Sequence, residues 1–182
     1  ALRADAESLR ALGIRVELGA LLPPRLHFDL AVVSPAVAAS TPLFQEIARR
    51  NVPLIGELEL GWQQAKCLTV AIAGTNGKGT TAGLVERLLT QSGRKAIVCG
   101  HQARPLCAAV EQSKDQDFLI LQVNSFQLER TQYFRPAVAV LLNLAPDHLD
   151  RYPGMADYVR ANARLFANQQ AFDWVIVQSE AL

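Results

Sequence analysis

Methionine, tryptophan, cysteine and histidine are all scarce in this sequence, with one, two, three and three residues respectively. The cysteines Cys67, Cys99 and Cys107 are an odd number without a C-x-x-C pair, which speaks for buried thiols in a reducing cytoplasm and against a catalytic one. No apolar run approaches the ~18–20 residues that cross a bilayer. Basic runs are also missing and the net charge is +1, which excludes a nucleic-acid footprint or an anionic membrane surface. There is no internal repeat and no low-complexity tract. Neither an initiating methionine nor a signal-like leader opens the sequence, and it stops at Leu182 just after a strand-like run, so a piece of a longer protein is expected.

What remains is 182 residues, half of them apolar and 19% charged, enough for one large or two small domains. Leu2, Ala6, Leu9 and Leu12 recur at helical spacing, with Gly13 as the stop and a short strand expected at 14–16. Pro23-Pro24 breaks the chain before a buried-strand pattern at 28–33. Thr41 caps an expected helix over 41–50, with proline at its first position and arginines in its last turn. A strand at 52–55, a brief helix or linker from Gly56 and a domain boundary near Ala65 follow. Further on, strands are expected at 69–73, 95–99, 117–123, 136–143 and 172–177, and helices at 80–90 and 155–167. Strand alternating with helix implies mainly parallel, doubly wound α/β sheets, with ligands at the C-terminal strand ends.

At one such end stands Gly74-Thr75-Asn76-Gly77-Lys78-Gly79-Thr80-Thr81. The glycines can turn successive N–H groups toward phosphate oxygens, and the following helix N-terminus adds partial positive charge. Lys78 brings a full charge, and Thr80 or Thr81 places a hydroxyl where Mg²⁺ is held in phosphate-binding loops. The general G-x-x-x-x-G-K-[ST] pattern fails, because Ile72 stands five positions before Gly77 and Gly79 follows Lys78. Lysine and threonine together nevertheless argue against a turn that serves packing alone. His148 follows a strand end between two aspartates, which favours a functional role over a core one.

The octapeptide from Gly74 resembles the ATP loop of the Mur ligases and of folylpolyglutamate synthase. Ser125-Phe126-Gln127-Leu128-Glu129, Asp147-His148-Leu149-Asp150-Arg151-Tyr152, the 28–35 run and Gly56-Glu57-Leu58-Glu59-Leu60 extend the likeness to the Mur side, closest to its D-glutamate-adding members. The resemblance implies a Rossmann-like partial N-terminal domain, 1–65, from a UDP-substrate-binding module. A P-loop-type, doubly wound ATPase domain, 66–182, would follow and be incomplete at its end. It also implies a cytoplasmic ATP- and Mg²⁺-dependent amide ligation in peptidoglycan precursor synthesis. There a carboxylate of a UDP-linked muramoyl substrate is phosphorylated and D-glutamate then displaces phosphate.

By the same resemblance Lys78 steadies the β/γ-phosphates and Thr80 ligates the metal. His148 stands beside a second metal and the acyl phosphate, Asn143 and Asp147 shape the nucleotide edge, and Ser34 and His101 meet the substrate. Three positions depart from the family pattern. His101, in Gly100-His101-Gln102-Ala103, replaces an asparagine; Gln122 replaces a metal-binding glutamate; Asn162 stands where a carbamylated lysine is expected. An amide oxygen can still coordinate, without the charge a hard cation prefers. A folylpolyglutamate synthase-like ligase and a catalytically weakened nucleotide-binding paralogue are the alternatives. Phosphate release by the 182-residue chain alone is not expected.

Overall fold

A computed structural model describes residues 2–101 and 103–179. Their contacts gather into two compact units, Ala1–Ala31 with Val37–Pro53, and Val32–Ala36 with Leu54–Leu182. Gln102, part of the expected substrate turn, and residues 180–182, the end of the expected second domain, lie outside the described residues.

The smaller unit carries α1 (Leu2–Ala11) and α2 (Pro42–Arg49). Thr41 caps α2 by accepting from the Phe44 N–H, with Pro42 at the first helical position as its fixed φ allows. Glu46 bonds Arg49 and Arg50, and those two guanidiniums hold its carboxyl down at about 2. The strand expected at 14–16 does not form. The Ile14 N–H turns back to the Leu9 carbonyl and the Val16 carbonyl accepts from the Arg10 side chain, so α1 uses the groups a ladder would need.

Two short strands, β1 (Ala31–Val33) and β2 (Leu54–Gly56), pair with each other. In the larger unit β2 runs directly into α3 (Glu57–Gln64). The remaining strands are β3 (Leu68–Ala73), β4 (Ala96–Cys99), β5 (Phe118–Gln122), β6 (Val138–Leu141) and β7 (Trp174–Val177). They form one parallel sheet in the order β4-β5-β3-β6-β7. Helix α4 (Lys78–Gln91) links β3 to β4, and α5 (Leu106–Ala109), continued by a 3-10 helix over Val110–Asp115, links β4 to β5. Next come α6 (Ser125–Leu128) after β5 and α7 (Met155–Ala163) after β6. The α5 and α6 turns were not expected, since four residues are too few to show a helical period.

Alternation along the strands sorts the core into two layers, as a doubly wound sheet requires. Val70, Ile72 and Ile120 meet Ala82, Val85 and Leu89 of α4. Ala71, Ala73, Leu119 and Leu121 face the other way, onto Leu58, Leu106, Leu128, Phe134 and Leu165. Residues 54–65, expected to close the first domain, therefore pack within the larger unit.

Glu59 explains part of this. Fully buried, its carboxylate accepts from the N–H groups of Gln132, Tyr133 and Phe134 at 2.9–3.2 Å and from Gln63 Nε2 at 2.8 Å. A buried charge is tolerable only when bonded in this way.

Candidate functional site

At the C-terminal end of β3 the chain turns through Gly74, φ 134°, and Gly77, φ 84°, both in the left-handed half of backbone space that favours glycine. A Cβ on Gly74 would stand 3.0 Å from the Asn143 carbonyl oxygen, so the loop lies directly against the chain leaving β6. Two reciprocal pairs lace them together. Asn143 accepts from the Asn76 N–H at 2.8 Å and donates to the Asn76 carbonyl at 3.0 Å. The Thr75 hydroxyl accepts from the Ala145 N–H at 3.0 Å and lies 3.2 Å from the Ala145 carbonyl and 3.0 Å from the Tyr158 hydroxyl.

The Thr81 N–H makes the first intrahelical bond of α4, to Gly77, and the leading N–H groups before it are the ones a helix leaves for an anion. Lys78 folds its ammonium back onto the carbonyls of Gly74 at 2.7 Å and Thr75 at 3.0 Å. Burial lowers its pKa, against which Asp147 pulls upward. Thr80 is exposed and Thr81 half-buried on the first turn of α4, and Gln122 lies beside Gly79, its Oε1 3.4 Å from where a Cβ would be. This cradle of loop amides, ammonium and exposed hydroxyl fits a nucleotide polyphosphate with its cation.

Next to it opens a cleft of about 500 Å³ lined by Ser34, His101, Asn124, Phe126, His148 and Arg151 among others. Three residues proposed from sequence, Ser34, His101 and His148, thus come together. The His101 Nδ1 accepts from the Ala103 N–H, which leaves Nε2 to carry the proton in the neutral ring. His148 has φ 52°, unusual for a residue with a Cβ; the Asp147 carboxylate accepts its N–H at 2.9 Å, and its carbonyl receives the N–H groups of Arg151 and Tyr152. Phe126 meets the imidazole edge-on at 5.2 Å.

Arg151, quoted in a motif without a role, ties the cleft wall. It donates to Glu129 at 2.8 Å and to the Pro35 carbonyl at 3.1 Å, and its guanidinium lies over the Phe126 ring at 5.4 Å. Asn124 and Glu57, which belong to motif-like stretches and carried no assigned role, also line this cleft, and Tyr158 likewise carried none. The only signal was position, since Asn124 directly follows a strand and Glu57 opens a helix.

Among the described residues no group of three or more His, Cys, Asp or Glu could hold a metal. Asn162 is 1% exposed and donates its amide to the Tyr158 carbonyl at 2.9 Å, so it serves the helix. All three cysteines are free, and burial pushes Cys99 up to about 12 and Cys107 to about 11.

The model of the Mur ligase middle domain matches residues 72–181. UDP-N-acetylmuramoylalanine--D-glutamate ligase of Acidobacterium capsulatum is 41% identical over 182 residues, 99% of this chain and 39% of that protein. The enzyme of the same name from Myxococcus xanthus is 40% identical over 99% of this chain and 40% of its own length. The chain therefore spans about two fifths of the curated relatives it matches. Among solved structures, UDP-N-acetylmuramate:L-alanyl-gamma-D-glutamyl-meso-diaminopimelate ligase from Neisseria meningitides aligns with a TM-score of 0.60 at 18% identity, over 96% of this chain and 60% of that one. MurF ligase from Thermotoga maritima, solved in complex with ADP, aligns at 0.54 and 18% identity over 80% of this chain and 42% of that one.

Proposed function

Since this chain belongs to the Mur ligase family, we propose that it supplies the ATP site and part of the acceptor site of a ligase that adds D-glutamate to UDP-N-acetylmuramoyl-L-alanine. In this reading residues 66–182 are the central ATPase domain and 1–65 the later part of a UDP-substrate domain, working in the cytoplasm. The names of the relatives over nearly the whole chain support the substrate assignment. Among the described residues no helix is long and apolar enough to cross a membrane.

The observation that carries the reading is the loop at 74–81, already shaped by Asn143 and Ala145 and holding a half-buried lysine. Loop amides and Lys78 bind the β- and γ-phosphates and gather the charge that builds as the γ-phosphoryl moves to the substrate carboxylate. Thr80, with Gln122 and His148 as further candidate ligands, would hold a Mg²⁺, which would shield those phosphates. Ser34 and His101 bind the UDP-linked substrate, while Arg151 fixes Phe126 and through it the His148 ring. The D-glutamate amine then displaces phosphate from the acyl phosphate through a tetrahedral intermediate.

Titration with ADP and Mg²⁺ tests the loop. Lys78→Ala is expected to weaken binding at least tenfold, about 1.4 kcal/mol, and equal affinity of both proteins would remove the loop from the argument. A second reading, a nucleotide-binding paralogue with little turnover, draws on the buried amide of Asn162, committed to the Tyr158 carbonyl. Metal-dependent phosphate release by the full-length protein, given both substrates, separates the two.

A further inference from the structure

We propose that Tyr158 is a positioning residue, whose phenol fixes the phosphate-binding loop through the Thr75 hydroxyl and so sets that loop against the turn carrying His148. The inference rests on the nucleotide-site reading above and adds to it a buried residue of α7 whose hydroxyl meets the loop.

A threonine hydroxyl has one proton to give and two lone pairs to fill. The Ala145 N–H fills one lone pair of Thr75 at 3.0 Å, and the Ala145 carbonyl at 3.2 Å can take only the proton. The remaining neighbour, the Tyr158 hydroxyl at 3.0 Å, must then donate into the second lone pair. All three positions of the hydroxyl are used, and Thr75 is held in one rotamer. Because Thr75 follows Gly74 directly, its rotamer and its backbone orientation are fixed together, and its carbonyl is one of the two that receive Lys78.

Tyr158 is itself held firmly. It is 2% exposed, its ring lies 5.5 Å from that of Tyr152 and 6.4 Å from His148, and Asn162 donates to its carbonyl. One phenol thus joins the loop after β3 to the aromatic cluster that flanks the imidazole. Without its hydroxyl, Thr75 keeps the Ala145 pair and loses the bond that reaches α7. Among the described residues the Tyr158 bond alone carries the Thr75 hydroxyl from the loop to that helix.

The test is a double-mutant cycle in the full-length ligase, with Tyr158→Phe, Thr75→Val and both together, reading kcat, KM for ATP and thermal midpoint. Tyr158→Phe is expected to lower kcat about tenfold, with KM for ATP rising less than threefold and the midpoint moving by no more than about 4 °C. On the Thr75→Val background the same change should cost less than twofold, since the partner is already gone. Thr75→Ser keeps the hydroxyl and should restore the full sensitivity to Tyr158→Phe, which covers the case in which Thr75→Val does not fold. Additive losses in the cycle, or a Tyr158→Phe protein as active as the parent, overturn the proposal. If the parent neither binds ADP nor turns over, the nucleotide-site reading fails as well, an outcome distinct from additivity in an active parent.

Discussion

Replacing Glu59 with alanine is expected to destabilise the chain more than any loop substitution, and the cost can be worked from its partners. Its carboxylate satisfies three successive N–H groups, of Gln132, Tyr133 and Phe134, together with the Gln63 amide. Gln132 and Tyr133 are exposed and their N–H groups can turn to water, whereas Phe134 is fully buried and its N–H has no such alternative. An orphaned buried donor costs about 1–3 kcal/mol, and the cavity left by the side chain adds about 1. The burial cost that disappears with the carboxyl offsets part, leaving about 2 kcal/mol. For a chain of this size that lowers the thermal midpoint by roughly 4–8 °C. Glu59→Gln keeps the shape and one accepting oxygen but turns an NH₂ toward donors, so a loss of about half that is expected. Thermal unfolding followed by circular dichroism reads both. A shift under about 2 °C for Glu59→Ala would mean that the three amides have other acceptors, and the account of why α3 packs with the larger unit would fail.

Alkaline pH should unfold the chain early. Burial holds Cys99 and Tyr152 up to about 12 and Cys107 up to about 11, against 9.0 for the thiols and 10.0 for the phenol. The folded form keeps protons that the unfolded form sheds, so stability falls as pH rises from 9 toward 12. Lys78, shifted downward, works in the opposite sense. Midpoints measured across that range should decline, with a shallower slope in Cys99→Ala; an identical slope would discount the buried thiol. At the cation site, Gln122→Glu should raise Mn²⁺ affinity in the presence of nucleotide by about tenfold, read by electron paramagnetic resonance. Asn162→Lys should lower stability by burying an amine where an amide now bonds Tyr158. Two occupied metal sites in the unaltered protein at saturating nucleotide would refute the view that Gln122 and Asn162 weaken the second one.

Where hydrogen bonds follow the apolar pattern, sequence was enough. The runs at β3, β5 and β6 are unbroken because both faces are covered, and the glycine loop sits at the strand end it marks. The 14–16 stretch misled because its apolar pair looks like a strand while its backbone bonds to the helix just before it. Ser34, His101 and His148 were legible as residues, and only the sheet order shows that one cleft collects them. Arg151 reaches Glu129 and Pro35, 22 and 116 positions away, and Tyr158 reaches Thr75 across 83. Contacts at such separations leave no period in a sequence.

The lacing of Asn76 to Asn143 and Thr75 to Ala145 has a consequence in time. A loop that must fold around its ligand adds the delay and the entropy of ordering to every turnover. Here the loop is laced without a ligand, and the Lys78 ammonium would have to leave two carbonyls for phosphate oxygens. A side-chain rotamer change takes picoseconds to nanoseconds. Nucleotide capture should therefore run near the rate of encounter, and the slow step of the cycle falls on rearrangements of whole segments.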